Sequence, residues 1–109
     1  MKLLFEAVAD SAPRRVLEIG ATAGLAQLVA REFEAEVVTA GVFEELPFPP
    51  RAFDCVVAST DLPDAVLREL RRVLDEDGRL IAVAPQSQWF LLRHFTVVER
   101  RADVFICIP

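Results

Sequence analysis

The sequence predicts an α/β domain built on a mostly parallel sheet. Three observations carry that expectation. Short apolar runs alternate with stretches of helical periodicity. The first run ends on a turn bounded by Gly20 and Gly24 that leads into a helix. The last two apolar runs are joined so closely that an antiparallel hairpin is their natural pairing. The chain has 109 residues, read as a single domain, 1–109, at the usual ~100–200 residues per domain.

The elements follow in order. Residues 2–9 carry Leu4, Ala7 and Val8 at helical spacing, and Asp10-Ser11-Ala12-Pro13 breaks the pattern. Val16-Leu17-Glu18-Ile19 is a continuous apolar run of the kind that is covered on both faces in a parallel sheet. From Gly24 to Phe33, Leu25, Leu28, Val29 and Phe33 predict one buried helical face. Glu36–Ala40 is a second strand. The stretch from Gly41 to Ala52 holds Pro47, Pro49 and Pro50, which cannot donate to a ladder, so it is a loop.

Phe53–Ala58 is a third strand. Leu62, Val66, Leu67, Leu70, Val73 and Leu74 then mark an amphipathic helix. Pro63 and the acids Asp61 and Asp64 suit its first turn, and Gly78 is expected to stop it. Arg79–Ala84 is a fourth strand, Gln86–His94 holds one or two helical turns, and Thr96–Val98 with Val104–Ile108 form the hairpin.

Composition bounds the function. Hydrophobic residues make up 53% of the chain, which is enough apolar surface to offset chain entropy and to predict a folded domain. No apolar run reaches the ~18 residues of a membrane span, and the start, Met1-Lys2-Leu3-Leu4-Phe5-Glu6, is too quickly charged for a signal peptide. A cytoplasmic location is therefore expected, with no membrane partner. The net charge of −5 disfavours nucleic acid, whose phosphates an acidic chain repels. Cys55 and Cys107 lie inside apolar runs, have no metal-ligand spacing, and read as buried structural thiols. No metal site is expected.

In an open α/β sheet, ligands bind beyond the carboxyl ends of the strands where strand order reverses. Gly20 lets the chain turn out of its first strand, and Gly24 lets the next helix present its N-terminal amides. Val16–Gly20, Leu46–Val57 (LPFPPRAFDCVV) and Leu67–Leu80 (LRELRRVLDEDGRL) together resemble class I S-adenosylmethionine-dependent methyltransferases of the type that acts on small molecules. The resemblance covers roughly residues 14–85, and the C-terminal hairpin is similar to the family's last two strands. It implies a Rossmann-like three-layer sandwich, S-adenosylmethionine as cofactor and a small-molecule methyl acceptor. By the same resemblance Glu18 stands where the family's acid holds the cofactor's amino group, directly or through water. Gly20, Ala21 and Gly24 form the cofactor turn, Val42 faces the adenine, and Ser59, with Thr60 and Asp61, lines the methyl-transfer face. Thr60 and Asp61 also read as caps of the following helix.

The departures from the family pattern are equally specific. Thr22 and Ala23 replace the middle of a turn that usually carries three glycines, and a β-carbon at position 22 crowds the approach of the cofactor's methionine part. Val42 replaces an aspartate. About one βα unit is missing, and with it the acid that grips both ribose hydroxyls. Glu36–Ala40 resembles the family's third strand; if it is instead the second, it ends on Thr39-Ala40-Gly41, again without an acid. Hydrogen bonds to charged groups contribute ~1.5–3 kcal/mol each, so losing even one of that pair weakens binding roughly ten- to a few-hundred-fold. Glu44 or Glu45 are the substitutes within reach. Trp89, Phe90, Leu91 and Leu92 read as core, or as the lining of a pocket or interface. His94 has no evident partner and reads as structural; no catalytic residue is identified.

Two functions follow from these residues. One is a methyltransferase whose cofactor binding, through Glu18, Gly20 and Gly24, is weakened or lost. The other is a non-catalytic pseudo-methyltransferase that serves as a protein-interaction or assembly module. The missing unit leaves the strand at 36–40 on the sheet edge. An open edge is rarely left uncovered, so a homodimer or a partner chain over 36–40 is expected.

Overall fold

A computed structural model describes residues 13–20, 22–42, 44–58, 62–83, 88–101 and 104–109, with backbone only at 88–90 and 101. The elements are β1 (Arg15–Ile19), α1 (Leu25–Glu32), β2 (Glu36–Ala40), β3 (Phe53–Ala58), α2 (Asp64–Val73), β4 (Leu74–Val83), α3 (Gln88–His94), β5 (Thr96–Arg101) and β6 (Val104–Ile108). The helix expected over 2–9 falls outside the described residues.

The strands form one sheet in the order β2-β1-β3-β4-β6-β5. β1 runs parallel to β2 and β3, and β3 parallel to β4, while β6 is antiparallel to both β4 and β5. This is the predicted mostly parallel sheet with a C-terminal antiparallel hairpin. Against the doubly wound order 3-2-1-4-5, no strand lies outside β2 among the described residues. β2 lies directly beside β1, so Glu36–Ala40 holds the second-strand position and the third-strand reading is corrected.

Consecutive residues of each strand point to opposite faces. On one face Leu17, Ile19, Val56, Leu80 and Cys107 pack against Val66, Leu67, Leu70 and Val73 of α2 and against Leu91 and Phe95. On the other, Val16, Cys55, Val57, Ile81 and Ile106 share a core with Ala26, Val29 and Ala30 of α1. Helices thus cover both sides of the sheet, making three layers. α1 turns its alanines inward, and Leu28, expected in its buried face, is 42% exposed. Cys55 and Cys107 are free thiols on opposite faces, and burial pushes each up to about 12, well out of the reactive range.

The junction of α2 and β4 corrects the reading of Gly78. α2 ends at Val73, and Leu74 is already extended, at φ −86° and ψ 135°. Leu74 pairs with Phe53; the register then shifts, so that Cys55 faces Arg79. Gly78 therefore lies within β4, where a β-carbon would stand 2.6 Å from Leu74 Cδ1 and 2.7 Å from the Asp54 carbonyl oxygen. Close approach of two chain segments, not helix termination, requires the glycine here.

The proline-rich loop is held by side chains instead of a ladder. Glu69 Oε1 accepts the Leu46 N–H at 2.9 Å, and Arg72 donates to the carbonyls of Phe48 at 2.8 Å and Leu46 at 3.1 Å. Arg72 also clasps both Glu69 oxygens, at 2.6 and 2.7 Å. That guanidinium, aided by the Leu46 N–H, holds the Glu69 carboxyl down to about 2. Phe48 meets the fully buried Phe53 edge-on at 5.0 Å between ring centroids, and the Arg15 guanidinium sits 5.0 Å from the same ring. Asp54 Oδ2 accepts the N–H groups of Arg14 at 2.6 Å and Arg15 at 3.1 Å, tying β3 to the start of β1.

Candidate functional site

Strand order reverses at β1, which has β2 on one side and β3 on the other. The crevice beyond the carboxyl ends of these strands is where ligands bind in open α/β sheets. The turn that leaves β1 is built on left-handed residues: Gly20 at φ 73°, Ala23 at φ 53° and Gly24 at φ 86°. Two are glycines, which adopt this region freely; Ala23 is not, and stores strain. The Gly20 N–H donates to the Ala40 carbonyl at 3.0 Å, so the turn is anchored to the end of β2. Among the described residues, a β-carbon on Gly20 or Gly24 would meet nothing within 4 Å. The described residues thus leave space over both glycines, as a ligand-bearing turn needs.

Glu18 sits beneath this turn and is 7% exposed. It pairs in register with Thr39 of β2 and Val57 of β3. Its Oε2 accepts the Thr22 hydroxyl at 2.5 Å; its Oε1 accepts the Thr39 hydroxyl at 3.0 Å and the Gln27 amide at 3.4 Å. These bonds, the Thr22 hydroxyl foremost, pull the carboxyl below its ordinary range against the opposing effect of burial, and the Thr22 N–H adds to the lowering. Glu18 is therefore a buried anion at neutral pH. Thr22, itself 5% exposed, accepts the Ala26 N–H on the same hydroxyl at 3.2 Å and the Leu25 N–H on its carbonyl at 3.0 Å. It closes the start of α1.

The structure places Glu18 at the end of β1 and Gly20 and Gly24 in the turn that leaves it. Thr22 was expected only to crowd the turn, and Thr39 and Gln27 were not singled out. Spacing carried part of the signal, since Thr22 follows Glu18 by four residues across a strand-to-turn junction. Thr39 needed the β1–β2 register. Val42 is 43% exposed. β2 ends on Ala40, the described residues that follow it, Gly41 and Val42, carry no carboxylate, and Glu44 and Glu45 are exposed. Ala21, Ser59, Thr60 and Asp61 lie outside the described residues, as do the side chains of Trp89 and Phe90. Leu91 is core, and Leu92 is 55% exposed.

His94 does have a partner, which corrects the sequence reading. Its Nε2 lies 2.8 Å from Asp64 Oδ1, joining the end of α3 to the first turn of α2. His94, with Arg93 and Arg68 nearby, draws the Asp64 carboxyl below its ordinary range. The pair joins two packed helices and is not part of the turn at Gly20. Among the described residues no group of three His, Cys, Asp or Glu side chains is placed to hold a metal, and no helix is long and apolar enough to cross a membrane.

Comparison with known proteins agrees with this geometry. Residues 3–82 match the family model described as a methyltransferase domain. The YcgJ protein of Bacillus subtilis is 25% identical, with a TM-score of 0.54 over 82% of this chain and 53% of its own. This chain thus spans about half of that protein. A SAM-dependent methyltransferase from Aquifex aeolicus is 16% identical, with a TM-score of 0.70 over 99% of this chain and 88% of its own. A methyltransferase from Haloferax volcanii, solved in complex with the Trm112 methyltransferase activator, is 16% identical, with a TM-score of 0.56 over 75% of this chain and 50% of its own. No curated protein sequence gives a significant match.

Proposed function

The chain belongs to the methyltransferase-domain family, and we propose that it is an S-adenosylmethionine-dependent methyltransferase-like domain whose hold on that cofactor is weakened. The observation that carries the reading is the state of Glu18. The acid that would grip the cofactor's amino group already accepts three side-chain hydrogen bonds from within the chain. The backbone of the turn suits the cofactor, with space over Gly20 and Gly24 among the described residues. The carboxylates suit it less, because Glu18 is engaged and the described residues at the end of β2 offer none to the ribose.

When bound, this cofactor supplies an electrophilic methyl group on a sulfonium centre. The chain's own contribution is to bind and orient, and a methyl transfer driven by proximity needs little acid–base machinery. Calorimetric titration of S-adenosylmethionine and S-adenosylhomocysteine tests the reading. A family site binding at micromolar levels that loses its charged hydrogen bonds falls to about millimolar. Saturable millimolar binding is the expected result. Micromolar affinity overturns the weakening. Absence of binding overturns the cofactor function and leaves the pseudo-methyltransferase reading.

One observation supports that second reading. β2 is an edge strand with Val37 and Val38 half-buried on it, and a long unprotected edge is a template for pairing. A second copy or a partner chain over β2 is our proposal, as the Haloferax relative is seen with an activator. Light scattering at high micromolar concentration tests self-association, and a strict monomer overturns the homodimer. Two free, buried thiols suit a cytoplasmic setting.

A further inference from the structure

Thr22 holds an unusual position among the groups at the turn. Its single hydroxyl proton goes to Glu18 Oε2 at 2.5 Å, while the same oxygen accepts the Ala26 N–H at 3.2 Å. The result is a relay from the first turn of α1 through Thr22 to the Glu18 carboxylate, in which each bond polarises the next. A carboxylate offers about four acceptor positions. Thr22, Thr39 and Gln27 side chains take three, and the Thr22 N–H also bears on the carboxylate. An incoming ammonium group therefore competes with protein donors already bonded to both carboxylate oxygens. Because Glu18 and Thr22 are 7% and 5% exposed, a displaced donor would lose its partner away from water.

We propose that Thr22 is a specificity-determining residue that fills the ammonium subsite from within, so that the cleft discriminates against adenine nucleosides carrying an amino-acid chain and not against those lacking one. This rests on the cofactor reading above and adds the residue responsible and the ligand portion rejected. Removal of the hydroxyl frees Glu18 to accept an ammonium group. A regained hydrogen bond to a charged group corresponds to an affinity gain of about tenfold or more.

The test compares wild type with Thr22→Gly, Thr22→Ala and Thr22→Ser by calorimetry, using S-adenosylhomocysteine, which carries the ammonium, and 5′-methylthioadenosine, which does not. Thr22→Gly and Thr22→Ala are expected to bind S-adenosylhomocysteine about tenfold or more tightly than wild type. Thr22→Ser, which keeps the hydroxyl, stays near wild type, and 5′-methylthioadenosine is unchanged throughout. Should Thr22→Gly fail to fold, Thr22→Ala carries the comparison. Equal gains for both nucleosides assign the effect to the β-carbon's bulk and overturn the proposal. Equal binding of S-adenosylhomocysteine by wild type and both hydroxyl-free variants overturns the proposal and leaves the cofactor reading standing. Absence of all binding overturns both. A readout without ligand is the Glu18 carboxyl titration followed by carbon NMR: its midpoint rises in Thr22→Ala and is retained in Thr22→Ser, and no change in Thr22→Ala overturns the relay.

Discussion

Two glutamates, one on each side of the sheet, Glu18 in β1 and Glu69 in α2, use the same device to different ends. Glu69 receives a guanidinium and a backbone N–H, and the outcome is a loop pinned to α2. Glu18 receives two hydroxyls and an amide, and the outcome is a buried charge held by neutral donors among the described residues. The Glu69 half is finished: Phe53, Phe48, Arg15, Asp54 and Gly78 fill it to contact distance. The Glu18 half keeps strain at Ala23 and, among the described residues, space over two glycines and an edge strand with one neighbour. Packing is spent where the chain must hold together, and freedom remains where a ligand would enter.

Substitutions sharpen that contrast, and the largest effect belongs to the packed half. Phe53→Ala is expected to cost about 3–5 kcal/mol, the usual penalty for emptying an aromatic core site; a denaturant midpoint near wild type would break the comparison. Gly78→Ala follows at about 1–3 kcal/mol, because the new β-carbon meets a backbone oxygen that cannot swing away. Thermal unfolding should register roughly 4–8 °C for each kcal/mol in a domain of this size.

Glu69→Gln is expected to cost about 1 kcal/mol at neutral pH, as its partner is partly exposed. Its pH dependence is more telling. The folded carboxyl titrates at about 2, below its ordinary 4.5. The unfolded chain therefore takes up the proton first on acidification. Stability from this group is complete above pH 4.5 and is lost as pH falls toward 2. Melting temperatures across that window should fall less steeply in Glu69→Gln than in wild type. The smallest effect belongs to the open half: Ala23→Gly relieves a left-handed alanine and should gain about 0.5–1 kcal/mol. A loss of stability there would show that the turn is not strained.

The order of elements was legible because alternation and length speak locally. Val16–Ile19, Phe53–Ala58 and the two final strands are continuous apolar runs, and their pairing follows from the lengths of the connections. What sequence could not supply was contact across the sheet. Gly78 follows a helix and reads as its stop, yet its role depends on Asp54, which only the β3–β4 register brings near. His94 reads as unpartnered because Asp64 is thirty residues away and meets it only through helix packing. The site divides in the same way. Glu18, Gly20 and Gly24 are visible as a motif along one segment, whereas Thr39 reaches Glu18 only because β2 lies beside β1.

The two thiols give the fold a pair of internal reporters. Cys55 belongs to the core shared with α1, and Cys107 to the core under α2 and α3. An alkylating reagent reaches either sulfur only after the layer above it has lifted. Labelling rates at the two positions therefore time the opening of each layer separately, in an unaltered chain. If the half around Glu18 is the looser one, Cys55 will be marked first.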